Sequence, residues 1–171
     1  SLNPALKGAK TDEALNVFLL QQAMKKRDEM AKAYKKLGIN INPLLLIQLP
    51  NDDSAAMSQD EENLKDSLLQ ALDVLYDTRT SNVEKKKLAI WLSGEKTNLE
   101  GIEDPKSGVD VLIFKQAIAM GWDCPRAAVL LIYRKLSSES FTIQTVGRIM
   151  RMPQQRFYND PMLNTGYVYT D

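Results

Sequence analysis

Gln144, Arg148 and Arg151 in the stretch QTVGRIMR (144–151) are spaced at i, i+4 and i+7, which on a helix puts them on one face. Ile143, Val146 and Met150 fall on another face, suited to packing on a sheet. Two forked, permanently charged guanidiniums presented together suit a polyphosphate, because each offers planar donors to phosphate oxygens. Salt bridges on an ordinary helix surface would use the same spacing, so both uses stay open on these residues alone. Gly147, beside Arg148, is a costly residue inside a helix, and its missing side chain would let another backbone or a ligand come close.

A second constellation is KQAIAMGWDCPRA (115–127), which follows the apolar run VDVLIF. Gly121, Trp122, Asp123 and Pro125 read as a tight turn feeding the next strand. Asp123 could accept from a ribose hydroxyl or hold an arginine, and Trp122 could stack on a ligand or pack in the core. Lys115 falls at the carboxyl end of the expected strand, a suitable place for a phosphate contact.

Composition removes much other chemistry. The chain has no histidine and one cysteine, Cys124, so an internal disulfide, a zinc site of the usual kind and a histidine-based nucleophile are excluded for these residues. No acidic loop has EF-hand spacing, and no metal ligand set is expected. The lack of a long apolar run or a leader-like start points to a cytoplasmic protein with no membrane partner. The net charge is zero but unevenly laid out. Residues 41–108 carry seven basic and thirteen acidic side chains, and the flanks lean basic, a layout that fits a nucleic-acid partner or simply solvated helix faces.

The elements that must hold these residues alternate. After an irregular start, Thr11 as N-cap, Asp12 and Glu13 in the first turn, and Gly38 at the end describe a long helix over 11–37. PLLLIQL (43–49) reads as a strand buried on both faces, residues 60–77 as a helix, and KLAIWLSGE as a strand over 87–93. VDVLIF (109–114), a short helical piece over 115–120, AAVLLIY (127–133), a helix over 138–151 and GYVYT (166–170) follow. The expectation is an α/β chain with a mostly parallel sheet of five or six strands and helices on both faces. Ligands on such sheets bind at the carboxyl ends, hence in the loops after 49, 93, 114 and 133.

VDVLIFKQAIAMGWDCPRA, followed after a strand by QTVGRIMR, resembles motifs V and VI of superfamily 2 helicases, and GWDCP most resembles the restriction (Res) subunit of type III restriction-modification enzymes. PLLLIQLP stands where the motif IV strand should be, so the resemblance spans about 40–171 and is strongest over 109–151. It implies a three-layer, RecA-like fold of the P-loop NTPase type. Residues 1–40 would be a lead-in and long helix, and 41–171 the second RecA-like motor domain of a larger protein. ATP and Mg2+ would be bound mainly by the first RecA-like domain of the same parent. Arg148 and Arg151 would then be arginine fingers at the γ-phosphate. Gln144, Gly121, Asp123 and Gly147 would line the nucleotide cleft, and Lys115 and Gln116 would touch nucleic acid, although relatives often carry Thr in the slot of Lys115. Implied partners are double-stranded DNA and a modification methyltransferase subunit.

The chain also departs from the pattern. It has no complete phosphate loop, since GEKTN (94–98) lacks the first glycine, and it has no DEAH-like box, so the chain alone is expected not to hydrolyse ATP. Residues 97–108 are shorter and more broken than the helix relatives usually place there. DNA cleavage would belong to another part of the parent. Two alternatives remain: another DNA or RNA helicase of the same superfamily, and a doubly wound binding domain with no motor role.

Overall fold

A computed structural model describes residues 9–50, 56–76, 87–115, 122–133 and 158–171, with side chains described from Glu13 onward. The run LLLIQ forms β1 (Leu44–Gln48), and every one of its residues is buried. A strand apolar on both faces must be covered on both, and β1 accordingly lies inside the sheet rather than at an edge. The other strands among the described residues are β2 (Leu88–Leu92), β3 (Glu95–Thr97), β4 (Val111–Phe114), β5 (Ala127–Ile132) and β6 (Tyr167–Thr170). They form one six-stranded sheet in the order β3-β2-β4-β1-β5-β6. All neighbours run parallel except β2 and β3. The chain is an α/β protein with a mostly parallel sheet.

Helix α1 (Ala9–Lys36) begins two residues before the expected cap, so Thr11 lies in its first turn. It ends as expected at Gly38, whose φ of 71° is left-handed. The amides of Gly38 and Ile39 return to the carbonyls of Lys35 and Tyr34, closing the helix by the paired bonds that a left-handed glycine makes possible. Helix α2 (Gln59–Tyr76) starts with a reciprocal cap, in which Ser58 Oγ accepts from the Glu61 amide and Glu61 Oε1 from the Ser58 amide.

Side-chain alternation divides the core into two layers. Leu45 and Ile47 of β1, Val111 and Ile113 of β4, and Val129 and Leu131 of β5 join Leu20, Met30 and Tyr34 of α1 and Leu64, Leu68 and Leu72 of α2. Leu44, Leu46, Leu112, Phe114, Leu130 and Ile132 form the other layer with Ile102, Cys124, Leu99 and Trp122. In β5 the consecutive residues Ala128 and Val129 both face the helices. The cause is a bulge: Leu44 pairs with Ala127 and Leu45 with Val129, so Ala128 is the extra residue. The long helices α1 and α2 cover one face. The helices expected over 115–120 and 138–151 lie outside the described residues, apart from Lys115 itself.

β3 is an addition to the strands read from the sequence. Glu95, Lys96 and Thr97 have no apolar alternation, but a two-residue Ser93-Gly94 turn, with Gly94 at φ 76°, folds them back on Leu92, Trp91 and Ile90. GEKTN is therefore the tip and return strand of a hairpin, not a phosphate loop between a strand and a helix. The segment 97–108, where the family that the sequence resembles usually has a helix, holds the end of β3 and then turns and bends, with no helix. Among the described residues no helix is long and apolar enough to cross a membrane.

Candidate functional site

The order of strands places a topological switch beside β1. The chain leaves β1 through α2, which packs on the helical face, and skips the position of β4 to reach β2. It leaves β4 toward β5 across β1, and Trp122 and Cys124 on that path belong to the opposite layer. Where successive strands are added in opposite directions along a parallel sheet, as here beside β1, a crevice lies at the carboxyl ends of the strands. Here those ends are Gln48 and Leu49 of β1, Lys115 after β4, and Tyr133 after β5, held level by bonds from the Leu49 amide to Phe114 O and from the Tyr133 amide to Gln48 O.

Lys115 is fully buried. Its side chain continues the alternation past Phe114 and so turns to the helical face, where Nζ lies 2.6 Å from Glu61 Oε2 and donates to Ala56 O at 2.8 Å. The contact with Glu61 is a short ion pair between two buried side chains. Glu61 is itself 2% exposed. Thus the loop after β1, the start of α2 and the exit of β4 meet at one buried ion pair. Gln48, on the other face by alternation, is buried too, and its Oε1 has no hydrogen-bond partner among the described residues.

No family model, curated protein or solved structure matches this chain.

Lys115 was expected to meet a nucleic-acid phosphate, and the structure instead places its ammonium inside the protein against Glu61. The physical reason is the parity of the strand, which turns residue 115 toward α2. Asp123 is half-buried and lies three residues before Arg126, whose carbonyl takes the amide of Leu44 at the start of β1. Since β4, β1 and β5 are parallel, Lys115 follows a carboxyl end while Asp123 lies on the approach to an amino end. Trp122 packs edge-on against Trp91, with ring centres 5.6 Å apart, and its Nε1 donates to Glu103 Oε1 at 2.8 Å. Gln116, Gly121, Gln144, Gly147, Arg148 and Arg151 lie outside the described residues.

The amino ends of the central strands carry a separate polar network. Asn42 is its hub: Nδ2 donates to Asp110 Oδ1 and Ser107 O, and Oδ1 accepts from Arg27 Nη1. Buried Arg126 donates to Asn42 O and Ile102 O, both at 2.7 Å. Burial lowers its pKa, with the Cys124 and Asp110 charges acting in the opposite sense. These bonds tie α1 and the 98–110 loop to the strands. An open groove of about 570 Å³ lies at the same end, lined by residues including Asn98, Asp104 and Ser107. It is on the wrong side of the sheet for a switch-point ligand, so we assign that end to support of the fold. Among the described residues, no group of three or more acidic, histidine or cysteine side chains could hold a metal ion.

Burial also sets how the chain responds to alkali. It pushes the Cys124 thiol up to about 11 and raises the hydroxyls of Tyr34 and Tyr133 as well. Each group keeps its proton longer in the folded than in the unfolded chain, so stability is intact below the ordinary pKa and falls as pH rises through it. Chemical denaturation followed by fluorescence should show stability level to about pH 9 and then a loss on the order of 2–3 kcal/mol from Cys124 alone by about pH 11. A stability that climbs over this range would contradict the burial of these groups.

Proposed function

We propose that this chain is the second RecA-like motor domain of an ATP-dependent DNA translocase or helicase of the type III restriction kind. One observation carries the reading: the end of VDVLIF and the start of the arginine-bearing segment both lie at the carboxyl ends of strands beside a switch point of a parallel sheet, while GWDCP enters from the amino end. VDVLIF supplies β4, GWDCP leads into β5, and the segment with Gln144, Arg148 and Arg151 connects β5 to β6. A ligand at such a crevice would be reached from the loops that follow the strands, which is where the arginine-bearing segment departs from β5.

In this reading ATP and Mg2+ are held mainly by a first motor domain, and Arg148 and Arg151 close on the γ-phosphate from the second. Gln144, Gly121 and Gly147 complete the cleft as the resemblance implies, whereas Asp123, on the approach to the amino end of β5, is given no part in it. Double-stranded DNA is the track, and a methyltransferase subunit is the partner that supplies site recognition. With Lys115 turned inward against Glu61, this reading gives the nucleic-acid contact to Gln116 and its neighbours.

The test is ATP turnover by the full-length protein that contains this chain, measured alone, with duplex DNA and with RNA. Turnover raised by duplex DNA is the expected result. Stimulation by RNA alone would favour an RNA helicase of the same superfamily, and no turnover under any condition would leave the non-motor binding domain as the better account.

A further inference from the structure

We infer that the outer face of α1 is a nucleic-acid contact surface, on which Lys25, Lys32, Lys35 and Lys36 bind a phosphate backbone. The inference concerns binding and not turnover, so it does not rest on the motor reading. All four lysines are exposed. Lys25, Lys32 and Lys36 stand at i, i+7 and i+11 of the helix and form one stripe, with Lys35 beside its end. At 1.5 Å per residue the stripe is about 16 Å long, a span over which duplex DNA carries several phosphates on each strand. It lies toward the amino ends of the strands, where Arg27 of the same helix bonds to Asn42 and Pro43, and so away from the switch-point crevice.

The positive charge of this face is not spent inside the protein. Glu29 is engaged by Lys26 at 3.2 Å and Asp28 by Arg27 at 3.0 Å, and neither of those cations belongs to the stripe. None of the four lysines has an ion-pair or hydrogen-bond partner among the described residues. Lys25 and Lys32 also line an open groove of about 330 Å³ with Tyr76, where α1 meets the end of α2. The neighbouring helix exposes acidic Asp60 and Asp66, but it ends at Tyr76, and Lys35 and Lys36 extend past it.

A membrane surface is another common target of a basic helix, but it requires an apolar face free to enter the lipid. The apolar face of α1, with Leu20, Met24, Met30 and Tyr34, is buried in the core. Between Phe18 and Leu37 the helix exposes no large apolar side chain. What remains outside is charge without apolar area, which suits a polyanion held through its phosphates. The basic excess of residues 1–40, eight basic against four acidic side chains, thereby gains a use.

The experiment uses the full-length protein without nucleotide, titrated into a labelled duplex DNA of arbitrary sequence at several salt concentrations. The variant combines Lys25→Gln, Lys32→Gln, Lys35→Gln and Lys36→Gln, which puts good helix formers at exposed positions, and circular dichroism checks its fold. Its dissociation constant for DNA should rise by about tenfold or more near 0.1 M salt, and the slope of log affinity against log salt should shrink by about 3. Arginine at the same four positions should keep the binding. Lys96→Gln with Lys106→Gln removes two exposed charges elsewhere and should change the constant less than about twofold. An unchanged constant and slope in the fourfold variant would overturn the inference. So would an equal loss per charge in the Lys96 and Lys106 control, which reports net charge and not a surface. A larger loss of binding to phosphatidylserine vesicles than to DNA would overturn it by making α1 a membrane contact. Repeating the titration with RNA shows which nucleic acid supplies the phosphates, and the stated loss on either one supports the inference. Should the fourfold variant not fold, Lys32→Gln with Lys36→Gln is read by the same criteria at half the change in slope. Wild-type protein that binds neither nucleic acid would also overturn it, whereas ATP turnover, measured separately, decides the motor reading.

Discussion

Replacing Arg148 or Arg151 by alanine in the full-length protein should lower ATP turnover by about a thousandfold or more while duplex DNA affinity changes by less than about threefold. An arginine finger acts on charge that develops as the γ-phosphoryl group leaves, so its loss falls on kcat far more than on binding. Lysine should rescue little, because a point charge does not reproduce a planar fork of donors. Salt bridges on a helix surface would give a very different outcome, with effects near 0–1 kcal/mol on stability and almost none on turnover. The two uses left open by the spacing of Gln144, Arg148 and Arg151 therefore differ by orders of magnitude in one assay. Normal turnover in both variants would remove the catalytic assignment.

The second large effect concerns stability. Glu61→Leu alone should destabilise the chain by about 3–5 kcal/mol, since it removes the carboxylate that faces the buried Lys115 ammonium. The loss of the helix cap adds a smaller amount, about 0.5–1 kcal/mol, because the bond from the Ser58 amide to Glu61 is long at 3.5 Å. Against a total of about 5–15 kcal/mol for a domain, that is enough to lower Tm by roughly 10 °C or more. Adding Lys115→Met should return most of the loss, leaving chiefly the cap. Differential scanning calorimetry of wild type, Glu61→Leu and the double variant measures this directly. Equal melting of single and double variants would mean that the ammonium reaches water in Glu61→Leu, and that the site is not sealed.

Several elements were legible because local physics and the fold agree. The unbroken LLLIQ run could hardly be anything but a strand covered on both sides, and it is β1. Gly38 ends α1 because a left-handed residue is needed there, and the need is local. Serine three residues before Glu61 is a cap signature that could have marked the start of α2 more sharply. β3 was missed for the opposite reason. Nothing in Glu95, Lys96 and Thr97 favours a strand by itself, and they become one only because the Ser93-Gly94 turn lays them beside β2.

The candidate site divides in the same way. The types and spacing of Gln144, Arg148 and Arg151, and the order of the segments around GWDCP, are properties of the chain and raise the motor reading without any coordinates. The place of Lys115 is not such a property. From sequence it stands at a strand's carboxyl end, where a lysine suits a phosphate. Only packing shows that Glu61, 54 positions earlier, comes within 2.6 Å and takes it. Likewise Asn42, Arg27, Asp110 and Arg126 are scattered along the chain and become one network only when β1, β4 and β5 lie side by side. Sequence by itself determined strands β1, β2, β4, β5 and β6, helices α1 and α2, and the lack of histidine and disulfide chemistry among these residues, and it raised the helicase resemblance as an expectation, because each follows from residue type and near-neighbour spacing. Tertiary structure alone decided the strand order, the return strand β3 and the inward turn of Lys115, because those depend on which distant backbones pair and on which face the parity of each strand presents.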